Sequence, residues 1–390
     1  MTAKKQGGRR RLGTLSKKAR PAGSTRWFIA DTLTRLAPRA GASIDLEPRF
    51  GFVGRIRFPR GRTSYFHGGM LDLNPLGSSE LAADKDFTAH FLQRAGYPVI
   101  EGRPFYSRKF GRSFGSDQDL DAAYRYARSL GWPVVVKPNS RSQGRDVAKV
   151  STRADLYRAA RAILRRNGVL LVQRFVSGRD YRLVVLDDAV ISAYERLPIT
   201  VVGDGRATIR QLFARKQREF VNTGRDTLLD ADDLELALHL REQRLSWDGV
   251  LAKGRVAALR SNANLSSGGD AVEALDTIHP GFVKLAIAIT AEMGLRLCGV
   301  DLLLRTGSLA DPPANYVVIE INAAPGLATT PPAVRCRQVG WTSSISRCSR
   351  PCDSVKGRGD GARSLALARE IAATLPVGTK PARREGKDTL

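Results

Sequence analysis

Carboxylates stand inside two of the most apolar segments of the sequence. Asp301 lies within residues 299–304 and Glu320 within residues 317–322, two runs typical of buried strands. Because an unpaired buried charge is costly, both carboxylates need cations. If the strands are antiparallel neighbours, Asp301, Glu320 and Asn322 face one side, since residues i and i+2 share a face. Three oxygen ligands of this kind suit Mg²⁺, and pairing with arginine or with backbone donors is the alternative.

A lysine ends another apolar strand and opens a polar loop. Lys137 closes residues 134–137, where its ammonium group can meet phosphate oxygens, and Gly144 lets backbone amides approach them. Residues 170–176 lead a strand into a turn, and their backbone edges from Gln173 to Val176 can read an adenine base. Taken singly, the two patterns are more commonly a plain strand exit and an ordinary β-turn-β.

The segments that must position these residues alternate between helical and strand patterns. Helices are predicted over residues 84–94, 119–130, 152–165, 208–220, 234–245 and 280–293. Strands are predicted over residues 132–137, 169–175, 181–186, 190–195, 295–304 and 316–322. Asp187 and Asp188 form a plausible hairpin turn between two of them, and residues 26–74 are short mixed segments broken by Gly and Pro. The prediction is an α/β (α+β) fold.

Composition narrows the class of protein. With 390 residues and 42% hydrophobic content, the chain can fold as two or three lobes with their own cores. Because no window approaches the roughly 18 uninterrupted apolar residues of a membrane span, and the basic start lacks the apolar run of a signal peptide, we expect a cytoplasmic protein without a membrane partner. Four cysteines and four scattered histidines give little support to a disulfide framework, a zinc site or a Ser/His/Asp triad.

The net charge of +25 is concentrated near the two ends of the chain. Residues 1–20 hold eight Lys and Arg side chains and no acid, and residues 328–363 hold seven basic and two acidic residues. A run of this kind is usually a solvated, disordered tail. With only 7% aromatic residues and no recognisable binding module, we do not expect a nucleic-acid partner.

The ordered set of motifs resembles the ATP-grasp superfamily, and most closely the ligase region of cyanophycin synthetases and bifunctional glutathione synthetases. The resemblance covers roughly residues 74–327; it begins at Asp84-Lys85 and continues through Val135-Val136-Lys137-Pro138. Residues 195–205 are similar to the segment after the central hairpin of cyanophycin synthetases, and residues 260–269 to their Arg-x-x-Ala-Asn-Leu-Ser-x-Gly-Gly loop. The resemblance implies an ATP-grasp fold, with two α/β lobes holding ATP between them and a small N-terminal lobe.

The resemblance also assigns roles position by position. It implies ATP-binding roles for Lys85, Lys137, Ser142, Gly144, Gln173, Arg174, Val176 and Asp180. It implies catalytic roles for Arg182, Arg260 and Asn264. It implies that Asp301, Glu320 and Asn322 bind Mg²⁺, with Mn²⁺ as the other suitable ion.

The activity that the resemblance implies is an ATP-dependent carboxylate–amine ligase working through an acyl-phosphate. Its partners would be a small-molecule acid and amine, expected to be amino acids or peptides, and a homo-oligomer is compatible with the sequence. Three alternatives stay open: an ATP-grasp carboxylase or kinase-like protein, an ATP-grasp protein that binds nucleotide without catalysis, and a basic nucleic-acid-binding protein.

Four regions are predicted along the chain: a disordered basic tail over residues 1–25, a small N-terminal lobe over 26–83, an ATP-grasp domain over 84–327, and an atypical tail over 328–390. Residues 328–361 show neither helical nor strand periodicity. Codons can be chosen for residues 339–352 whose shifted frame reads Arg-Leu-Asp-Glu-Leu-Tyr-Leu-Glu-Val-Leu-Lys-Ala-Leu, an amphipathic helix. We therefore interpret the tail as a reading-frame slip after Leu327, which resequencing through Cys352 would test.

Overall fold

The N-terminal region of the computed structural model is a helix packed on an antiparallel sheet. The structure describes residues 25–140, 146–222, 227 and 230–326. The first elements are α1 (Thr25–Leu36), β1 (Ser43–Leu46), β2 (Val53–Arg57), β3 (Thr63–His67) and β4 (Met70–Leu71), with the strands in the order β1-β2-β3-β4. Leu33 and Phe66 are buried here together with Leu297 from a strand far along the chain. The N-terminal layer is therefore continuous with the core of the lobe behind it.

Five helices and a four-stranded antiparallel sheet follow. Their elements are α2 (Leu76–Ala83), α3 (Lys85–Arg94), β5 (Gly102–Tyr106), α4 (Arg108–Arg112), α5 (Leu120–Leu130), β6 (Val134–Pro138), β7 (Ala148–Val150), α6 (Arg153–Asn167) and β8 (Val169–Arg174). The sheet has the order β5-β8-β6-β7 and carries α5 and α6 on one face, and we call it the first lobe. Thr152 caps α6 by accepting from the Asp155 amide, and Gly168 ends α6 in the left-handed conformation that glycine adopts without strain.

The second lobe is a five-stranded antiparallel sheet in the order β13-β10-β9-β14-β15. Between β10 and β13 lies an insert, residues 199–260, with a core of its own. The elements are β9 (Arg179–Leu186), β10 (Ala189–Leu197), β11 (Thr200–Val202), α7 (Ile209–Asn222), α8 (Leu234–Glu242), β12 (Val256–Ala258), β13 (Asp270–Glu273), α9 (Pro280–Glu292), β14 (Leu297–Leu304) and β15 (Tyr316–Asn322). Strand β14 is buried along its whole length, which explains why all its residues except Asp301 are apolar or small.

The predicted elements agree with the structure in type and order. The hairpin of β9 and β10 turns at Asp187, as predicted. The helix predicted over residues 234–245 is wrong at its end, because α8 ends at Glu242 and Arg244 has a positive φ. Helices α2 and α4 and the short strands β5, β7 and β11 to β13 were not predicted. Helix α4 and these strands have only three to five residues and show little periodicity, whereas α2 has eight residues. No helix in the described part of the chain is long and apolar enough to cross a membrane.

Candidate active site

The two strands that carry the buried carboxylates are antiparallel neighbours, which is the condition under which their polar side chains share one face. Asp301 on β14 lies directly opposite Glu320 on β15, and Gly299 lies opposite Asn322. On the other side of β14, Asp301 lies opposite Arg182 on β9. The register therefore places these charged side chains on one face of the second lobe.

Asp301 is fully buried and bound by two arginines. Arg182 donates from Nε and Nη2 to its two carboxylate oxygens, each at 2.6 Å, and Nη1 of Arg196 lies 3.0 Å from Oδ2. Arg196 also donates twice to Oδ1 of Asp180, from Nε at 2.9 Å and from Nη2 at 2.6 Å. Burial alone would lower the pKa of Arg196, but Asp180 and Asp301 outweigh it and raise that pKa. No role was predicted for Arg196 from the sequence. Its position next to Glu195 near the end of β10 is the one signal that could have indicated a charged site.

Two lysines lie near Glu320 where the first and second lobes meet. Nζ of Lys85, at the start of α3, lies 3.4 Å from Oε2 of Glu320. Lys137 at the end of β6 is buried, and this burial lowers its pKa to about 8, against an opposing effect of Glu320. Burial acts to raise the pKa of Glu320, but the nearby lysines and arginines together lower it to about 2. Glu320 is therefore ionised at physiological pH.

Asn139 fixes the start of α3 against the end of β6. Its Nδ2 donates to Asp84 Oδ2 at 2.7 Å, and its Oδ1 accepts from the Asp86 amide at 3.0 Å. Its backbone oxygen accepts from the Lys85 amide at 3.3 Å. Because Asn139 follows Lys137 by two residues, these bonds hold both lysines in register. Asn139 was predicted only to be part of a polar loop, because a single buried asparagine adds nothing to a pattern of alternating apolar residues.

The predicted metal ligands Asp301, Glu320 and Asn322 lie on the adjacent strands β14 and β15. All three carry oxygen donors of the kind that Mg²⁺ prefers, and Nδ2 of Asn322 is 3.5 Å from Oδ2 of Asp301. Asp301 has no exposed side-chain surface, whereas the Glu320 side chain is 20% exposed. Glu320 is thus the carboxylate that faces the gap. Among the described residues, no group of three or more His, Cys, Asp or Glu side chains is arranged for a metal ion.

The segment predicted to read the adenine base lies at the end of β8. Gln173 is buried and lies opposite Gly102, where a Cβ would come within 2.5 Å of Cγ of Gln173. Arg174 donates to Glu101 and to the Leu130 carbonyl, so its side chain takes part in the packing of the first lobe. The predicted hinge role therefore rests on the backbone from Gln173 to Val176. Two further predicted ATP-binding residues, Ser142 and Gly144, lie outside the described residues.

Arg260 lies in a different environment from Arg182. Its Nη2 is 2.6 Å from Oδ2 of Asp233, its Nη1 bonds to Oε2 of Glu235, and both acids belong to the start of α8. Burial acts to lower the pKa of Arg260, but Glu235 and Asp233 outweigh it and raise that pKa. Asp233 and Glu235 were not predicted as site residues, because they lie in an acidic stretch that is typical of an ordinary helix start.

Asn264 is part of the loop that Arg260 begins. Its Oδ1 accepts from the Ser266 amide at 2.9 Å, and its own amide donates to Oδ1 of Asn262 at 3.3 Å. The next residue, Leu265, packs on Tyr194, which lies beside Arg182 in the second lobe. The distal end of the loop thus approaches the Asp301 centre, while Arg260 stays near α8.

Known protein families match two stretches of the chain. Residues 91–205 match the D-ala D-ala ligase C-terminus, and residues 249–334 match the RimK-like ATP-grasp domain. The first stretch contains Lys137 and Arg182, and the second contains Asp301 and Glu320. The chain has the ATP-grasp fold, as the sequence motifs implied.

Two curated relatives extend the similarity. The chain is 33% identical over 264 residues to a cyanophycin synthetase of Trichormus variabilis, an alignment that covers 66% of this chain and 28% of that protein. It is 31% identical over 255 residues to a glutathione biosynthesis bifunctional protein of Streptococcus mutans, covering 63% of this chain and 32% of that protein. The chain therefore spans about a third or less of these relatives. A crystal structure of a bifunctional glutathione synthetase from Pasteurella multocida aligns with a TM-score of 0.47 at 27% identity, over 76% of this chain and 41% of that one.

Proposed function

We propose that this chain, which belongs to the ATP-grasp superfamily, is an ATP-dependent carboxylate–amine ligase that forms an amide or peptide bond through an acyl-phosphate. One observation carries the proposal: four cationic side chains surround three carboxylates where the lobes meet. The cations are Lys85, Lys137, Arg182 and Arg196, and the carboxylates are Asp180, Asp301 and Glu320. This centre has a surplus of positive charge that suits a polyanionic substrate.

The arrangement assigns different tasks to the arginines and the lysines. Asp301 and Asp180 are already bound by Arg182 and Arg196, which makes this network the rigid base of the site. The two lysines and Glu320 lie at the gap, where Lys85 and Lys137 would contact the phosphate oxygens of ATP. Preorganised cations of this kind stabilise the charge that develops during phosphoryl transfer.

Glu320, Asn322 and Asp301 would hold Mg²⁺, or Mn²⁺ in its place. A divalent cation held by these side chains would supply positive charge that offsets the negative charge of the phosphates. Because Glu320 is ionised and partly exposed, it is the ligand most directly available from the gap. This assignment explains why Glu320, a carboxylate with two lysine partners, lies within an otherwise apolar pair of strands.

The reaction needs no covalent nucleophile from the protein. An oxygen of the substrate carboxylate attacks the γ-phosphorus of ATP, the bond to the β–γ bridging oxygen breaks, and ADP leaves. The amine then attacks the acyl carbon and loses a proton, and inorganic phosphate leaves with the bonding electrons. Arg182, oriented by Asp301, lies on the face where the carboxylate would be activated.

The relatives are named for the synthesis of cyanophycin and glutathione. We extend to this chain only the shared class of substrate, a carboxylate and an amine borne by amino acids or short peptides. Because the chain spans about a third of those relatives, the identity of its own acid and amine is a separate question that the following experiment begins to answer.

ADP release by the purified protein with Mg²⁺-ATP, across a panel of amino acids and short peptides, tests the proposal. We expect release that depends on substrate, that is lost in Glu320→Ala, and that persists in Glu292→Ala, the same substitution at an exposed helix end. ATP binding without substrate-dependent release across the panel would contradict the ligase and favour a nucleotide-binding protein without catalysis.

A further inference from the structure

The first turn of α8 and the loop of residues 260–269 form a buried polar cluster for which the reaction proposed above has no use. Arg260, Asp233 and Glu235 are the charged members, and the Glu235 and Arg260 side chains are only 4% and 7% exposed. Two carboxylates face one guanidinium, so the cluster carries a surplus of negative charge. A phosphate would not be attracted to an arginine whose charge is already exceeded by its partners.

Glu235 uses both carboxylate oxygens to hold consecutive residues of the loop. Oε2 accepts from Nη1 of Arg260 and, at 2.9 Å, from Nδ2 of Asn262. Oε1 accepts from Nδ2 of Asn262, also at 2.9 Å, and from Oγ of Ser261 at 3.2 Å. A single buried side chain thus fixes three successive positions at the start of the loop.

The contacts continue from Asn262 toward the reaction centre. Oδ1 of Asn262 accepts from the Asn264 amide at 3.3 Å and from Oγ of Ser267 at 3.4 Å. At the far end, a Cβ on Gly269 would come within 2.7 Å of the Leu197 carbonyl, so the backbone of the loop is pressed against the end of β10. Leu265 packs between these points on Tyr194, the neighbour of Arg182.

We propose that Glu235 is a positioning residue that acts through Arg260 and Asn262 to hold the 260–269 loop against the reaction centre, where the loop would border the bound substrates. The inference rests on the proposed ligase function. It replaces the catalytic role predicted for Arg260 with an anchoring role, because both terminal nitrogens of Arg260 are committed to α8.

Glu235→Gln is the sharpest variant, because it keeps the shape of the side chain and changes its bonding. One oxygen becomes an NH₂ group that would face the donors of Arg260, Ser261 or Asn262. Asp233→Asn is a second variant that keeps a good helix cap and removes the other charge facing Arg260. Glu219→Gln, on the exposed side of α7 in the same insert, is the matched control.

The first measurement is amide hydrogen exchange of the full chain without substrate. We expect residues 260–269 to exchange at least about tenfold faster in Glu235→Gln, with β9 and β14 unchanged and Glu219→Gln indistinguishable from the wild type. Unchanged exchange of the loop in both Glu235→Gln and Asp233→Asn would overturn the inference. This readout does not depend on turnover, so it can fail while the ligase proposal stands.

The second measurement separates positioning from phosphate binding by kinetics. In ADP release with an active substrate, Glu235→Gln should lower kcat or raise the acceptor KM by about tenfold or more, while the KM for ATP changes less than about twofold. Arg260→Met should behave alike, and the double variant should be no worse than the worse single one, because the two residues act as a unit. A rise in the KM for ATP confined to Arg260→Met would show that Arg260 contacts phosphate and would overturn the inference.

Discussion

The Asp301 centre and the Arg260 cluster are both buried networks of arginine and carboxylate, yet they differ in the sign of their surplus charge. Around Asp301, four cations meet three carboxylates, and two of these cations, Lys85 and Lys137, interact with Glu320. Around Arg260, one cation meets Asp233 and Glu235, and every partner is internal to the insert or its loop. Sequence motifs mark arginines in both places, but only the first network has positive charge to offer a nucleotide.

The largest expected effect comes from removing the hub of the first network. Asp301→Ala leaves Arg182 and Arg196 buried without their shared carboxylate, which should lower the free energy of unfolding by about 3–5 kcal/mol. Urea denaturation followed by circular dichroism measures this loss. Glu320→Ala, whose side chain is partly exposed, should lose much less stability, and equal losses would show that Asp301 is not the structural base of the site.

A substitution of Lys137 should have opposite effects on activity and on stability. Lys137→Met should reduce ATP turnover by roughly 10²–10³-fold, the usual effect of losing one preorganised donor. At pH 7 it should also raise the free energy of unfolding, because burial lowers the pKa of Lys137 to about 8 and the folded protein therefore disfavours its charged form. Turnover and urea midpoints of the same preparation test both parts, and a variant that is less stable than the wild type would contradict the second.

Substitution of Asn139 should have a smaller effect on stability, confined to the start of α3. Asn139→Ala removes the side-chain bonds to Asp84 and the Asp86 amide, which should cost roughly 1–3 kcal/mol of stability. Because these bonds hold Lys85 in place, the KM for ATP should rise in the same variant. Asn222→Ala, at the exposed end of α7, is the matched control, and a KM that stays unchanged in Asn139→Ala would separate Asn139 from the placement of Lys85.

The Arg260 cluster should show a pH dependence of its contribution to stability. Burial raises the pKa of Glu235 from 4.5 to about 7 against the effect of Arg260, and Asp233 adds to the rise. A raised carboxyl pKa contributes stability that is present below pH 4.5 and is lost as pH rises through about 7. The difference in unfolding free energy between wild type and Glu235→Gln should therefore fall from pH 4.5 to pH 7 and then level off.

Urea titrations of both proteins at closely spaced pH values test this dependence. The groups facing Glu235 are Arg260, Asp233, Ser261 and Asn262, and His239 further along α8 titrates in both proteins and cancels in the difference. A difference that rises with pH would show that Arg260 dominates over burial.

Periodicity predicted the parts of this molecule that are long and regular. The apolar runs around Asp301 and Glu320 predicted two strands whose antiparallel pairing the structure confirms. Which cation meets which carboxylate could not be predicted, because Arg182, Arg196 and Asp180 come together through the pairing of three strands that are distant in sequence. The roles of the individual site residues stay predictions that the variants above address.

The Arg260 cluster shows the same limit to what could be predicted from the sequence. The loop of residues 260–269 was visible as a motif, whereas its partners on α8 lie about 25 positions earlier in a stretch without a distinctive pattern. A motif identifies a segment, but the charge of its surroundings comes from residues that only the fold brings near. That is why Arg260 and Arg182 received the same predicted role and have different contacts.

Helix α8 also connects the insert of the second lobe to the first lobe. The insert begins and ends on the second lobe, but Leu238 is buried in the core of the first lobe, and Glu242 contacts Lys149 and Ser151 of that lobe at 3.2 Å. Separating the lobes would expose Leu238, at about 2 kcal/mol, and break these weak surface contacts. The resting cleft is therefore pre-shaped, and nucleotide entry requires less ordering of the chain than it would between two freely hinged lobes.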